Sequence, residues 1–281
     1  MKKFTVAGKT ILITGGSSGI GLALAQRLAQ QGAKIALVAR RESLLQQALA
    51  SLEGEGHYIY ACDVADWQAV QQMAETVNAE MGTPDWIINS AGITHPGYFW
   101  ELPIEKFYQL MEVNYYGTVH VCKAFAPDMM ARRSGRIVNI SSVAGFVGVF
   151  GYSAYGPSKF AVWGFTDILR VELQPYGVRM HIVFPPDTDT PQLHYEMPLK
   201  PPETRILAET GGLLTAEQVA KETLRLIQRG KYVILPGSDP KWMWKAVHLL
   251  GCGTYKVMDF LVARARRKAR RETERQEGER G

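Results

Sequence analysis

Six short apolar runs recur along the chain: Thr10–Thr14, Lys34–Val38, Tyr58–Ala61, Trp86–Ile88, Arg136–Ile140 and Arg179–Phe184. Several are nearly continuous in aliphatic or β-branched residues, as expected for strands covered on both faces. Between them lie stretches with helical spacing: Ile20–Gln31, Ser43–Leu52, Trp67–Met81, Ile104–Met130, Tyr152–Gln174 and, later, Ala216–Arg229. Alternating strand and helix predict an α/β fold, a doubly wound parallel sheet. No internal repeat interrupts the alternation. Residues 185–214 contain six prolines and few strong helix signals, which predicts a long functional loop near the active site.

Composition narrows the class without naming a chemistry. The 281 residues are 46% hydrophobic and 21% charged, ordinary for a globular chain able to bury a core. Wholesale disorder, collagen and multi-span membrane proteins are excluded. Cys62, Cys122 and Cys252 form no CxxC and no zinc spacing, so neither a disulfide framework nor a metal site is expected, and a reducing compartment fits. The MKKF start is followed only by a short apolar run leading into Gly15-Gly16, which reads as a first strand and not as a leader. Charge divides the chain. Residues 241–281 carry eleven Lys+Arg against five Asp+Glu, which leaves the first 240 at −1 of the total +5. The body has no nucleic-acid footprint, and the expected division is a domain of residues 1–240 with a basic, amphipathic tail of 241–281.

Thr14-Gly15-Gly16-Ser17-Ser18-Gly19-Ile20-Gly21 follows a strand and opens a helix. Glycines let the backbone approach a phosphate, and the helix start supplies free N–H groups and the positive end of a dipole. The second strand ends in Val38-Ala39-Arg40-Arg41, without the acid that would bind a ribose 2′-hydroxyl. Arg40 instead suits a 2′-phosphate, which favours NADP(H). Asp63, after the third strand, is placed to receive the adenine amino group. Tyr155 and Lys159, four apart, share one face of a helix. A nearby ammonium stabilises a phenolate, making Tyr155 a candidate acid for ketone reduction or base for alcohol oxidation. Ser142, just past a strand end, can hydrogen-bond a substrate oxygen, and Asn114 lies in the long helix beginning near Ile104.

TGxxxGxG at 14–21, Asp63, the N-x-A-G turn at 89–92, Asn114, Ser142 and YxxxK at 155–159 together resemble the short-chain dehydrogenase/reductase family over about residues 8–240. Ser90 is a departure from the usual second Asn of that turn. The resemblance implies a Rossmann fold and a catalytic set of Asn114, Ser142, Tyr155 and Lys159. Tyr155 would be the acid/base and Ser142 would orient the carbonyl. Lys159 would tune Tyr155 and bind the nicotinamide ribose, and Asn114 would hold a water in a proton relay. It also implies NADPH/NADP+ contacts from Gly15, Ser17, Ser18, Gly19, Ile20, Gly21, Arg40, Asp63, Val64, Asn89, Tyr155 and Lys159, and a homodimer or homotetramer.

PPDTDTP at 185–191 and KPxET at 200–204 resemble the 3-ketosphinganine reductases of sphingolipid synthesis, although Leu44 stands where that group commonly has a basic residue. That likeness implies NADPH-dependent reduction of 3-ketosphinganine, a long-chain lipid ketone, to sphinganine, with another lipid ketone or alcohol (steroid, retinoid or 3-ketoacyl) or a non-catalytic NADP(H)-sensing module as alternatives. In the tail, Trp242, Trp244, Tyr255 and Phe260 sit among aliphatic residues beside a basic run from Arg264 to Arg271. Charges and Gly251 and Gly253 interrupt it, so a membrane span is not expected. It reads as an interfacial anchor on anionic lipid or as a helix packed on the body. The expected location is cytoplasmic, at a membrane surface, and at the cytosolic face of the endoplasmic reticulum if the source is eukaryotic. Glu272–Gly281 is expected to be disordered.

Overall fold

Both faces of every central strand are apolar, which only a sheet sandwiched between helices can satisfy. The computed structural model describes residues 5–209 and 211–278, with the MKKF segment outside that range. The first six strands are β1 (Thr10–Thr14), β2 (Lys34–Ala39), β3 (Tyr58–Ala61), β4 (Trp86–Asn89), β5 (Gly135–Ile140) and β6 (Val178–Val183). Two short strands, β7 (Thr188–Asp189) and β8 (Leu214–Thr215), pair with each other, and β9 (Val233–Ile234) completes the main sheet. The seven-stranded order is β3-β2-β1-β4-β5-β6-β9, and every pairing is parallel. The doubly wound expectation holds. The sequence reading missed β9, because a two-residue strand has no periodicity to detect.

Alternation sorts the core. Ile11, Ile13, Ile35 and Leu37 face one layer, where α1 (Gly19–Ala29), α2 (Glu42–Ala50) and the later helix α9 (Ala216–Gln228) pack. Leu12, Ala36 and Val38 face the other, against α3 (Trp67–Met81), α5 (Gly117–Ala131) and α6 (Tyr155–Leu173). Each fully buried aliphatic side chain contributes about 1.5–3 kcal/mol. The helix expected over Ile104–Met130 is two helices, α4 (Ile104–Leu110) and α5, joined by a π-helical turn at Met111–Tyr116. The expected long loop also carries structure. Thr190 caps α7 (Pro191–Glu196), and Pro201–Pro202 starts α8 (Pro202–Ala208), proline being well suited to a helix's first turn.

The tail forms α10 (Asp239–Leu250) and α11 (Gly253–Gly278). Trp244 joins Phe146, Trp163 and Phe184 in an aromatic cluster with centroids 5.1–5.7 Å apart. α11 packs along α8. The helix runs through Gly278, beyond the start of the expected disordered end, and residues 279–281 lie outside the described range.

One buried pair couples the fold to pH. Arg136 on β5 donates to Nε2 of His181 on β6, and His181 Nδ1–H donates to Lys231 O at 2.6 Å. The ring must be neutral to do both. Burial first, and then the Arg136 charge, push His181 down to about 4. Unfolded, it titrates near 6.5. Below that pH the unfolded chain takes up a proton that the folded chain refuses, so stability is complete above about 6.5 and falls towards 4. Between pH 7 and pH 5 the wild type should lose about 2 kcal/mol more than His181→Gln in urea unfolding. Parallel losses in both proteins would contradict this.

Candidate active site

The strand ends build the site. Thr14 Oγ1, at the end of β1, accepts from the backbone N–H groups of Ser90 and Ala91 at 3.2 Å each, holding the β1 and β4 loops together. Gly15 and Gly19 have φ of +66° and +54°. A Cβ at Gly15 would lie 2.7 Å from Ser90 O, and one at Gly21 would collide with Gly15 O. The turn therefore has room only for glycine. Ser18 precedes α1 in extended conformation and its side chain caps nothing, and no acid occupies the first turn. The N–H groups of that turn and their positive dipole end stay available to an anion.

Beyond this turn, Arg40 follows β2 with its side chain 59% exposed and 4.0 Å from Asp63, its only ion pair among the described residues. Asp63 Oδ1 accepts from Ala65 N, so it closes a turn, while Asp66 caps α3. Val64 is buried, and its carbonyl accepts from His120 Nδ1. Ser17 lies in the glycine turn, partly buried. Asn89 closes β4 with its side chain turned inward. Its amide donates to Asn139 Oδ1 at 2.8 Å and to Cys122 Sγ, deep between β4, β5 and α5, while Ser90 and Gly92 line the cavity described below.

α6 begins at Tyr155, so Tyr155 and Lys159 do share a helix face. Lys159 Nζ donates to Ile140 O at 3.1 Å and lies 5.7 Å from the centre of the Tyr155 ring. Ser142 and Gln192, the latter on α7, line the cavity with Tyr155 as the polar side chains that favour its ionised form. Asn114 sits in the π-helical turn, a geometry often found at functional sites. Its Oδ1 accepts from Ile93 N at 2.8 Å, and its Nδ2 donates to Ile93 O and Ser158 Oγ. A Cβ on Gly92 would lie 3.2 Å from both Asn114 Oδ1 and Lys159 Nζ, which explains the glycine.

Burial lowers Lys159 to about 8. It raises Tyr155, with Glu196 and Asp187 adding to the rise and the polar side chains of Ser142 and Gln192 opposing it. In these surroundings the phenol is held above its ordinary range and keeps its proton at neutral pH. That state suits a proton donor.

A second polar group beside Tyr155 was not singled out as a site from sequence. Lys200, 2% exposed, bridges Glu196 at 3.0 Å and Asp187 at 3.3 Å. Glu196 also accepts from Tyr152 and Thr94 hydroxyls at 2.9 Å. The i,i+4 spacing of Glu196 and Lys200 was the available signal. Both segments that resembled the sphingoid reductases therefore meet here, next to the phenol.

These groups open on one cavity of about 530 Å³. Gly15, Ser18, Gly19 and Ile20 lie on its wall with Ser142, Tyr155 and Lys159, and the loops after β4, β5 and β6 together with residues of α7, α8, α10 and α11 extend it. No group of His, Cys, Asp or Glu among the described residues could hold a metal.

Known proteins place this architecture. A 3-ketodihydrosphingosine reductase of Mus musculus is 40% identical over 245 residues, covering 85% of this chain and 74% of that relative. A short-chain dehydrogenase from Streptomyces avermitilis superposes with a TM-score of 0.77 at 27% identity, over 92% of this chain and 98% of the other. ElxO with NADP bound superposes at 0.72 and 27%, over 82% and 97%. The family model described as short chain dehydrogenase matches residues 9–198. The chain belongs to the short-chain dehydrogenase/reductase family.

Proposed function

We propose that this protein reduces the keto group of 3-ketosphinganine to the hydroxyl of sphinganine, using NADPH. One observation carries the reading. The Ser142–Tyr155–Lys159 group closes one end of a cavity whose far walls are apolar, in a chain 40% identical to a 3-ketodihydrosphingosine reductase. The residues present fit the cofactor. The glycine cradle and the uncapped α1 start would hold the pyrophosphate, and Arg40 the 2′-phosphate, with Asp63 and Val64 beside the adenine. ElxO, similar in fold, carries NADP.

Bound NADPH supplies the hydride that becomes the new C–H bond. Tyr155 gives its phenolic proton to the ketone oxygen, and Ser142 donates a hydrogen bond to the same oxygen as negative charge grows there. Lys159, held by Ile140 O, supplies positive charge behind the phenol and can reach a ribose hydroxyl. Asn114 fixes the Gly92–Ile93 backbone beside Lys159, the place from which a water relay would return the proton.

The tail's two expected roles are compatible. α10 and α11 pack on the body, yet their outer faces expose Trp242, Leu249, Tyr255 and Phe260 near basic residues of α11. Among the described residues no helix is long and apolar enough to cross a membrane. A peripheral contact with anionic lipid would bring the enzyme to a membrane-dissolved substrate. Exposed Tyr116, Phe160, Ile168 and Val171 on and beside α5 and α6 support self-association through those helices.

Tyr155→Phe should lower turnover of detergent-dispersed 3-ketosphinganine at least 100-fold, with NADPH affinity within about twofold by fluorescence titration. Unchanged turnover would refute the assignment of the acid. Arg40→Ser should raise the KM for NADPH at least tenfold and leave that for NADH nearly unchanged, since the lost fork meets only the 2′-phosphate. Equal effects on both nucleotides would place Arg40 elsewhere. Sedimentation with phosphatidylserine vesicles should be strong at low salt and weaken as salt rises. No binding to these vesicles at low salt would remove the membrane reading.

A further inference from the structure

The cavity has two unlike ends. Around Tyr155 it is polar, with Ser142, Asp187, Glu196 and Lys200 on its wall. Away from Tyr155 the wall belongs to the tail. On α10, beyond Asp239 and Pro240 of its first turn, which also line the cavity, the residues facing it are Met243, Ala246, Val247 and Leu250, and on α11 they are Thr254, Val257, Met258 and Leu261. Each set has the spacing i, i+3, i+4, i+7, a single stripe along two turns of helix. At 1.5 Å rise per residue each stripe runs about 10 Å. Neither stripe contains a charged residue. Met243, Leu250, Val257 and Leu261 are each 36% exposed or more, although they point inward. The ordinary fate of an amphipathic stripe is to be covered by the body, and here Trp244, Val247 and Met258 do that anchoring against the Phe146–Phe184 cluster, while Met243, Leu250, Val257 and Leu261 stay outside it. The stripes are thus held over the cavity and do not fill it.

Resting on the function proposed above, we propose that α10 and α11 form the alkyl-chain subsite: the saturated chain of the substrate lies between the two stripes, and the keto head reaches Tyr155. The occupant is fixed by the wall's chemistry and by its continuity with the reactive end. An apolar trough two helical turns long, with Thr254 within it and the Asp239 carboxylate only at the start of α10, matches a linear hydrocarbon. A chain in this trough leaves the polar head beside Ser142 and Asp187. The tail is then part of the substrate site as well as a surface for lipid.

The test separates this inference from the reaction itself. Saturated primary alcohols of six to ten carbons are titrated calorimetrically into the full-length protein with NADP+ present, below their micellar or solubility limits. Affinity should rise roughly threefold to fourfold per added methylene, as burial of each CH₂ requires. Val257→Trp and Leu261→Trp, each placing an indole in the trough, should end that rise at a shorter chain. Lys256→Trp, exposed on α11, should keep the wild-type dependence. Circular dichroism melting of all variants identifies any that fail to fold, and Val257→Phe and Leu261→Phe serve as milder fillings in that case. Affinity independent of chain length, or trough variants with the wild-type dependence, would overturn the inference. Turnover of 3-ketosphinganine by the wild type is scored separately: its failure removes the proposed substrate, while a chain-length dependence abolished by the trough variants would still locate the alkyl subsite.

Discussion

Parallel pairing governs this molecule. Because all seven strands of the main sheet run the same way, all their carboxyl ends lie on one edge, and each connection must cross a face as a helix or loop. Backbone groups that leave the ladder therefore converge at that edge. Gly15 leaves β1, Ser90 leaves β4, Ser142 follows β5, and Pro185–Pro186 follow β6. Thr14 clasps two of these loops with one hydroxyl. Residues more than a hundred positions apart become neighbours, and no local interaction is needed to bring them there.

The same edge concentrates charge out of water. Lys159, Lys200 and Glu196 are all nearly buried. A buried ion survives only with partners, and removing one partner of such a pair typically costs about 3–5 kcal/mol. Glu196 has three, the ammonium of Lys200 and two hydroxyls. This small lattice pins α7 and the start of α8 to the catalytic floor. The proline-rich segment is held by electrostatics where it could not be held by a large apolar interface.

The sheet and the gathering of Tyr155, Ser142 and Lys159 at one cavity were legible because their signals are local. Apolar runs mark strands, glycines mark the turn, and a four-residue spacing marks a helix face. What was not legible depends on distant neighbours. The side-chain amide of Asn89 is turned to Asn139 by pairing with β5, a placement its own turn does not reveal. The rise in the Tyr155 pKa comes from desolvation and from two carboxylates, Asp187 and Glu196, which no local spacing marks. The stripes on α10 and α11 were visible as amphipathic spacing. Periodicity gives the existence of an apolar face and says nothing of what covers it, so a lipid surface and a packed helix were equally good readings.

The π-helical turn at Met111–Tyr116 carries a consequence for how such a chain can change. A π-turn is an α-helix that has absorbed one surplus residue. It rotates everything after it by about 100° relative to an uninterrupted helix, the angle that one residue occupies in 3.6 per turn. α4 and α5 can therefore each present a different side to the body while remaining one rod. Asn114 rides on the surplus. Loss of a single residue here would erase the phase shift, so the tolerance of this stretch is for exchange of side chains and not for change of length.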